Sequence, residues 1–312
     1  MLLDQVWVLL GLGLLTAGGE SLIRGALALA TRVGVSALLA GVVVLGFGTS
    51  APELLVSVNA VLADRPDIAL GNVLGSNLGN ILLILGGSAA IAPLAVAPRT
   101  LLRDGSVMLG VTVMVVLMTF GGAVTRLDGA LLLSCLAGYL VWLAVQESAA
   151  VQRSQDPVSP QLGLLPSLAW TLGGLLLVLL GARLLVTGAV GIAEGFGVSE
   201  AVIGLTLVAM GTSLPELTVS LLAALRNQVD LAVGNILGSN IFNLAGVLGA
   251  SALIGPLPIA ERMLAVDRWA MLAATLVLML FLVTRLRLSR IEGSVLLAAY
   301  AGYLWFSFTR IG

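Results

Sequence analysis

Two carboxylates, Glu53 and Glu216, close the same short string, written Gly48, Thr49, Ser50, Ala51, Pro52, Glu53 and again Gly211, Thr212, Ser213, Leu214, Pro215, Glu216. Both lie deep in apolar stretches, where a carboxylate costs about 2.5–3.5 kcal/mol to insert, so each points to a function. A proline within a helix removes one amide donor and clashes with the carbonyl four residues back, here Gly48 and Gly211. Each helix is therefore expected to break at its string and to free carbonyl oxygens beside the acid. Further on, Gly71, Asn72, Gly75, Ser76, Asn77 and Asn80 are matched by Gly234, Asn235, Gly238, Ser239, Asn240 and Asn243. Ser76 and Asn80 are four apart, as are Ser239 and Asn243, so each pair presents its oxygens on one helical face. With the hydroxyls of Thr49, Ser50, Thr212 and Ser213, these groups make a hard, oxygen-rich set. Such a set suits Ca2+, which takes about six to eight oxygens, and two negative charges either neutralise one Ca2+ or attract several Na+. Ser, Thr and Asn beside Gly are also ordinary packing groups between membrane helices, but packing does not require an acid in lipid.

The elements that must position these groups are membrane helices. Of 312 residues, 59% are hydrophobic and 10% charged, with mean hydropathy +1.12; soluble domains carry roughly 25% charged residues. Ten apolar stretches, each long enough to cross a hydrocarbon core of about 30 Å, are expected near 6–30, 36–63, 68–92, 104–121, 128–146, 163–190, 199–226, 230–255, 267–284 and 292–309. The first lacks a basic leader and a small-residue cleavage site and is read as a retained span. Cys135 falls in the fifth span and is expected as a buried small hydrophobe. There is no histidine, the usual proton relay near neutral pH. All 15 basic residues are arginine. With the N-terminus outside, the inner loops would hold Arg32, Arg99, Arg103, Arg153, Arg226, Arg285, Arg287 and Arg290, and the outer ones Arg65, Arg126, Arg262, Arg268 and Arg310. That bias favours both termini outside.

Residues 46–80 and 209–243 align without a gap at an offset of 163, and 19 of the 35 positions are identical. The offset also pairs Gly34, Val35 and Ser36 with Gly197, Val198 and Ser199, and Asp104 with Asp267. It slips to 164 where Asp128 and Gly129 face Glu292 and Gly293, and Gly138 and Tyr139 face Gly302 and Tyr303. The repeat thus divides the chain into 1–146 and 163–312, joined by a short cytoplasmic linker over 147–162. Each half carries five spans, an odd number, so the second must start on the opposite side of the membrane. The expected fold is an all-α integral membrane protein of ten transmembrane helices in two inverted five-helix repeats, an architecture of secondary transporters. Glu20 and Arg183 also pair at the offset, and as a latch between the first and sixth spans they would have to meet.

The strings GTSAPE with GNVLGSNLGN, and GTSLPE with GNILGSNIFN, resemble the two alpha-repeats of the sodium/calcium exchanger family, within the calcium/cation antiporter superfamily, and the likeness to its prokaryotic members spans the chain. The resemblance implies that Glu53 and Glu216 share a central Ca2+, helped by the carbonyls of Thr49 and Thr212. It implies Na+ positions at the carbonyls of Gly46 and Ala209, at the hydroxyls of Thr49, Ser50, Ser76, Thr212, Ser213 and Ser239, and at the side chains of Asn80 and Asn243. It further implies exchange of Na+ for Ca2+ by alternating access, with the first and sixth spans sliding on the core and net charge moving. Potassium-dependent relatives resemble this chain but carry Asp where Asn243 stands; an amide brings no charge, so no K+ requirement is expected.

The implied ions are transported Ca2+ and Na+, with no cofactor, and the implied surroundings are the lipid bilayer of the cell membrane. Neither nucleic acid nor an obligate protein partner is implied by a net charge of −1. Two other transport readings use the same carboxylates: a Ca2+/H+ antiporter in which they shuttle protons, and a cation channel selected by an acidic ring. An enzyme is disfavoured, since the spans hold no histidine, multi-cysteine set or nucleotide-type glycine loop.

Overall fold

The computed structural model describes residues 2–151, 162–196, 209–261 and 263–309, and these are helical almost throughout. Outside them fall most of the linker, the start of the seventh span with Gly197, Val198 and Ser199, and Arg153, Arg262 and Arg310. In chain order the helices are α1 (Leu2–Val33), α2 (Ala37–Thr49), α3 (Ala51–Leu62), α4 (Pro66–Ile91), α5 (Pro98–Gly121), α6 (Arg126–Val151), α7 (Leu164–Gly195), α8 (Ala209–Gly211), α9 (Leu214–Leu225), α10 (Val229–Ile254), α11 (Met263–Arg285) and α12 (Arg290–Thr309). Seven of these described helices are long and apolar enough to cross a membrane, and α2 with α3, bent by 40°, brings the count to eight if the pair is taken as one broken span. Helix α6 continues to Val151, past the expected end at residue 146, because nothing between Gln146 and Val151 breaks a helix.

Several matched residues outside the two strings are helix punctuation. After α1, Gly34 turns left-handed (φ 77°) and the amide of Val35 reaches back to the carbonyl of Ala30. Asp64 (φ 55°) and Asn227 (φ 57°) take the same role after α3 and α9, with Arg65 bonded to Ala60 and Gln228 to Ala223. Short polar side chains tolerate this conformation, and the returning amide satisfies a terminal carbonyl. Asp128 and Glu292 are capping residues: each accepts from the amide and hydroxyl of the residue three before it, Thr125 at 2.8 and 2.7 Å and Ser289 at 2.8 and 2.6 Å. Buried Asp104 accepts from Tyr139 Oη at 2.8 Å and from Arg103, tying α5 to α6. Asp267 accepts from Tyr303 Oη at 3.1 Å, tying α11 to α12. Tyr139→Phe should lower stability by about 1 kcal/mol, the net worth of one hydrogen bond, as a small drop in melting temperature in detergent; an unchanged melt would show the bond to be idle.

The halves interlock by exchanging partners. Two short antiparallel ribbons join them: β1 (Leu94–Ala95) pairs with β4 (Arg287–Leu288), and β2 (Ala123–Val124) with β3 (Leu257–Pro258). A Cβ at Gly293 would stand 2.6 Å from the carbonyl of Gly86, and one at Gly129 would stand 2.7 Å from that of Gly249, so α12 lies on α4 and α6 on α10 at backbone contact.

The most extensive contact between any two helices is α1 on α7. They run antiparallel, with Gly11 against Gly181 and Gly18 against Gly174. In that register Arg183 stands level with Gly11 and Glu20 level with Gly174, about 13 Å apart along the axis at roughly 1.5 Å per residue. The expected latch therefore does not form. Glu20 instead binds Arg24 one turn on at 2.8 Å and Arg226 at the end of α9 at 2.9 Å. Cys135 is also displaced from expectation: α6 buries Leu132, Leu136, Tyr139 and Leu143, and Cys135 lies on the exposed side.

Candidate cation site at the broken helices

Proline at the second position of α3 and of α9 sets the break in each half. Helix α2 ends at Thr49, Ser50 leaves helical geometry (φ −83°, ψ 8°), and α3 starts at Ala51. In the second half α8 ends at Gly211, Ser213 has φ −88° and ψ 4°, and α9 starts at Leu214. The breaks put Glu53 and Glu216 in the first turns of α3 and α9, both fully buried. Carboxylates at those positions face free amides and the positive end of the helix dipole, which suits their charge.

Each acid is held by the serine of the other half. Ser50 Oγ donates to Glu216 Oε1 at 2.9 Å, and Ser213 Oγ donates to Glu53 Oε1 at 3.3 Å. Thr212 lies beside Glu53 and Thr49 beside Glu216. Ser239 Oγ donates to the carbonyl of Gly46 at 3.1 Å, a third link between the halves. The structure thus gathers Gly46, Thr49, Ser50, Glu53, Thr212, Ser213, Glu216 and Ser239 around the two breaks. Ser76 is buried on α4; Ala209 opens α8.

Asn80 and Asn243 sit inside π turns, Gly79–Leu85 within α4 and Phe242–Val247 within α10. Such widened turns are frequent at functional positions and were not foreseen from the hydropathy pattern, which has no signature for them. The turn carrying Asn80 packs on α9, the helix that opens with Glu216, and the turn carrying Asn243 packs on α3, the helix that opens with Glu53. Among the described residues, Oε2 of Glu53, Oε2 of Glu216 and both polar atoms of Asn80, Asn240 and Asn243 are buried without a hydrogen-bond partner. An unsatisfied buried polar group costs about 1–3 kcal/mol, and the carboxylate and amide oxygens among these atoms are the kind that a hard cation or water would satisfy. A cavity of about 40 Å³, lined by Gly75, Gly79, Ser213, Leu214, Leu217 and Tyr300 among others, reaches the serine that holds Glu53. That exceeds the roughly 10–15 Å³ one water needs.

Residue typing alone did not single out Asn72, Asn235 and Asn240 from the rest of their strings. Asn72 and Asn235 donate to the backbone carbonyls of Glu53 and Glu216, and Asn240 is a fully buried amide. Their only advance signal was identity across the repeat.

The family model described as sodium/calcium exchanger protein matches residues 5–145 and 166–309. The putative antiporter CaxA of Alkalimonas amylolytica is 39% identical over 99% of this chain and 100% of its own length. The sodium/calcium exchanger MaX1 of Methanosarcina acetivorans is 32% identical over 95% of this chain and 96% of its own. A solved structure of the sodium-calcium exchanger NCX_Mj, soaked with 10 mM Na+ and 10 mM Sr2+, superposes with a TM-score of 0.87 at 35% identity, covering 97% of this chain and 98% of that one.

Proposed function

The chain belongs to the sodium/calcium exchanger family, and from that premise we propose that this cation antiporter exchanges Na+ for Ca2+ by alternating access, electrogenically and without K+. The observation that carries the reading is the exchanged pairing of Ser50 with Glu216 and of Ser213 with Glu53, which brings two buried carboxylates to one place.

In this reading Glu53 and Glu216 share the Ca2+, with the carbonyls of Thr49 and Thr212 completing its oxygens. Na+ ions use Gly46, Ala209, Ser50, Ser213, Ser76, Ser239, Asn80 and Asn243, and compete for the same carboxylates. Two acids neutralise one Ca2+, while several Na+ bring surplus charge. Each net charge moved then draws about 2.3 kcal/mol from every 100 mV of membrane potential. Asn243 in place of an acid keeps the site charge at that of the two glutamates, and K+ has no added anion to answer.

We read the architecture as ten spans in two inverted five-helix repeats, residues 1–146 and 163–312, joined by the cytoplasmic linker 147–162. Helix α9 and helix α12 belong to the two spans beyond the eight counted by length and hydropathy. The partner exchange of the ribbons and of the Gly86–Gly293 and Gly129–Gly249 contacts supports a twofold relation between the halves. Both termini face outward in the cell membrane, and the bilayer and the transported ions are the only surroundings the reading needs.

The test is radiolabelled Ca2+ uptake into proteoliposomes loaded with Na+, K+ or choline. Uptake that requires internal Na+ is expected. Uptake driven by a pH gradient without Na+ would replace the reading with Ca2+/H+ antiport, and flux that needs no counter-ion would replace it with a channel.

A further inference from the structure

One matched pair of side chains makes bonds that differ between the halves. Asn72 on α4 donates through Nδ2 to the backbone carbonyl of Glu53 at 3.1 Å and to Ser57 Oγ at 2.9 Å. Asn235 on α10 repeats both bonds, to the carbonyl of Glu216 at 3.4 Å and to Ser220 Oγ at 2.8 Å. Asn235 then adds a contact across the halves: its Oδ1 lies 3.3 Å from Thr49 Oγ1, whose single proton is shared between this amide oxygen and the carbonyl of Leu45 at 2.9 Å. Asn235 is fully buried, whereas Asn72 is half-buried.

The backbone around Asn235 explains why its amide reaches so far. A Cβ at Gly234 would stand 2.7 Å from the carbonyl of Leu38, and one at Gly238 would stand 2.4 Å from that of Val42. Helix α2 therefore lies directly on α10 on either side of Asn235. A carboxamide fits the three partners because it offers two donors to a carbonyl and a hydroxyl and one acceptor to another hydroxyl. Aspartate lacks the donors and an aliphatic side chain lacks everything.

From this geometry we propose that Asn235 is a positioning residue for the cation site. It pins the first turn of α9, and with it Glu216, to the end of α2 at Thr49, so that oxygens from the two halves keep one spacing. The two bonds of Asn72 to Glu53 and Ser57 lie within its own half. The functional consequence rests on the transport reading above; the structural consequence does not. A cation that needs six to eight oxygens depends on ligand spacing before it depends on any later step. Removal of these bonds from Asn235 should raise the half-saturating Ca2+ concentration about tenfold and leave the maximal rate within about twofold.

The experiment compares the full-length parent with Asn235→Ala, Asn72→Ala and Ser220→Ala. It reads the Ca2+ dependence of uptake and hydrogen–deuterium exchange in the peptide covering 213–220. Asn235→Ala is expected to shift half-saturation and to speed exchange there; Asn72→Ala is expected to shift half-saturation less and to leave that peptide alone. Ser220→Ala removes the shortest bond and carries the test if Asn235→Ala fails to fold. Equal shifts in the two asparagine variants, or unchanged exchange over 213–220, overturn the proposal. A parent without Na+-driven Ca2+ uptake overturns the transport reading instead, and exchange then decides the positioning role by itself.

Discussion

Proteoliposomes carrying Glu216→Gln will take up Ca2+ roughly a hundredfold more slowly than the parent, and those carrying Glu53→Gln will do the same, because each change removes one of two buried charges from the proposed site. Glutamine keeps the length and one carbonyl oxygen, so Ser50 and Ser213 retain acceptors and the broken helices keep their shape. What is lost is half of the charge that would balance a divalent ion in a setting with little water to replace it. The double variant should be no worse than the slower single one, since both acids act on the same ion. The measurement is initial-rate uptake against an internal Na+ load, with a melting curve for each variant. A variant that melts like the parent and still transports at more than about a tenth of its rate would remove that carboxylate from the shared site.

The second large effect concerns the packing of α1 on α7 and separates two neighbouring glycines. A Cβ at Gly174 would stand 2.4 Å from the amide nitrogen of Leu22, 2.7 Å from its Cα and 2.8 Å from the carbonyl of Gly18. All three are backbone atoms, which cannot swing aside. Gly174→Ala must push the helices apart, at a cost of about 1–3 kcal/mol for overpacking. Gly173 has nothing within 4 Å of the same added atom among the described residues, so Gly173→Ala should be neutral, or slightly stabilising because alanine favours helix. Paired thermal melts in detergent should show Gly174→Ala several degrees below the parent and Gly173→Ala at or above it. Uptake should fall only in the first. Equal behaviour of the two variants would mean that the seam is looser than its geometry.

Much of this molecule was legible in advance because its informative residues are expensive. An acid in lipid, a proline in a helix and a string repeated at a fixed offset have few causes, and each led to Glu53, Glu216 and the breaks beside them. Glycine was less legible: Gly234 and Gly238 lie where another helix backbone passes, whereas their matches Gly71 and Gly75 meet no backbone within 4 Å of an added Cβ. Correspondence at the repeat offset was less discriminating. It marked Asp128 and Glu292, which cap helices, and Asp104 and Asp267, which tie a helix pair through tyrosines, with the same signal that marked the candidate site. It also suggested that Glu20 and Arg183 meet, a suggestion that antiparallel packing defeats. Two matched residues on a pair of crossing helices meet only at the crossing point, and these lie on either side of it.

The chain by itself determined the membrane setting, the duplication, the place of each helix break and the oxygen chemistry available there, because these follow from residue type, proline geometry and the cost of burying charge. Only the tertiary structure decided which half holds which acid. Hydrogen bonds between Ser50 and Glu216, Ser213 and Glu53, and Thr49 and Asn235 join residues at least 160 positions apart. Local propensity carries no information about such pairs; they depend on the angle and depth at which two separately specified helix pairs come together.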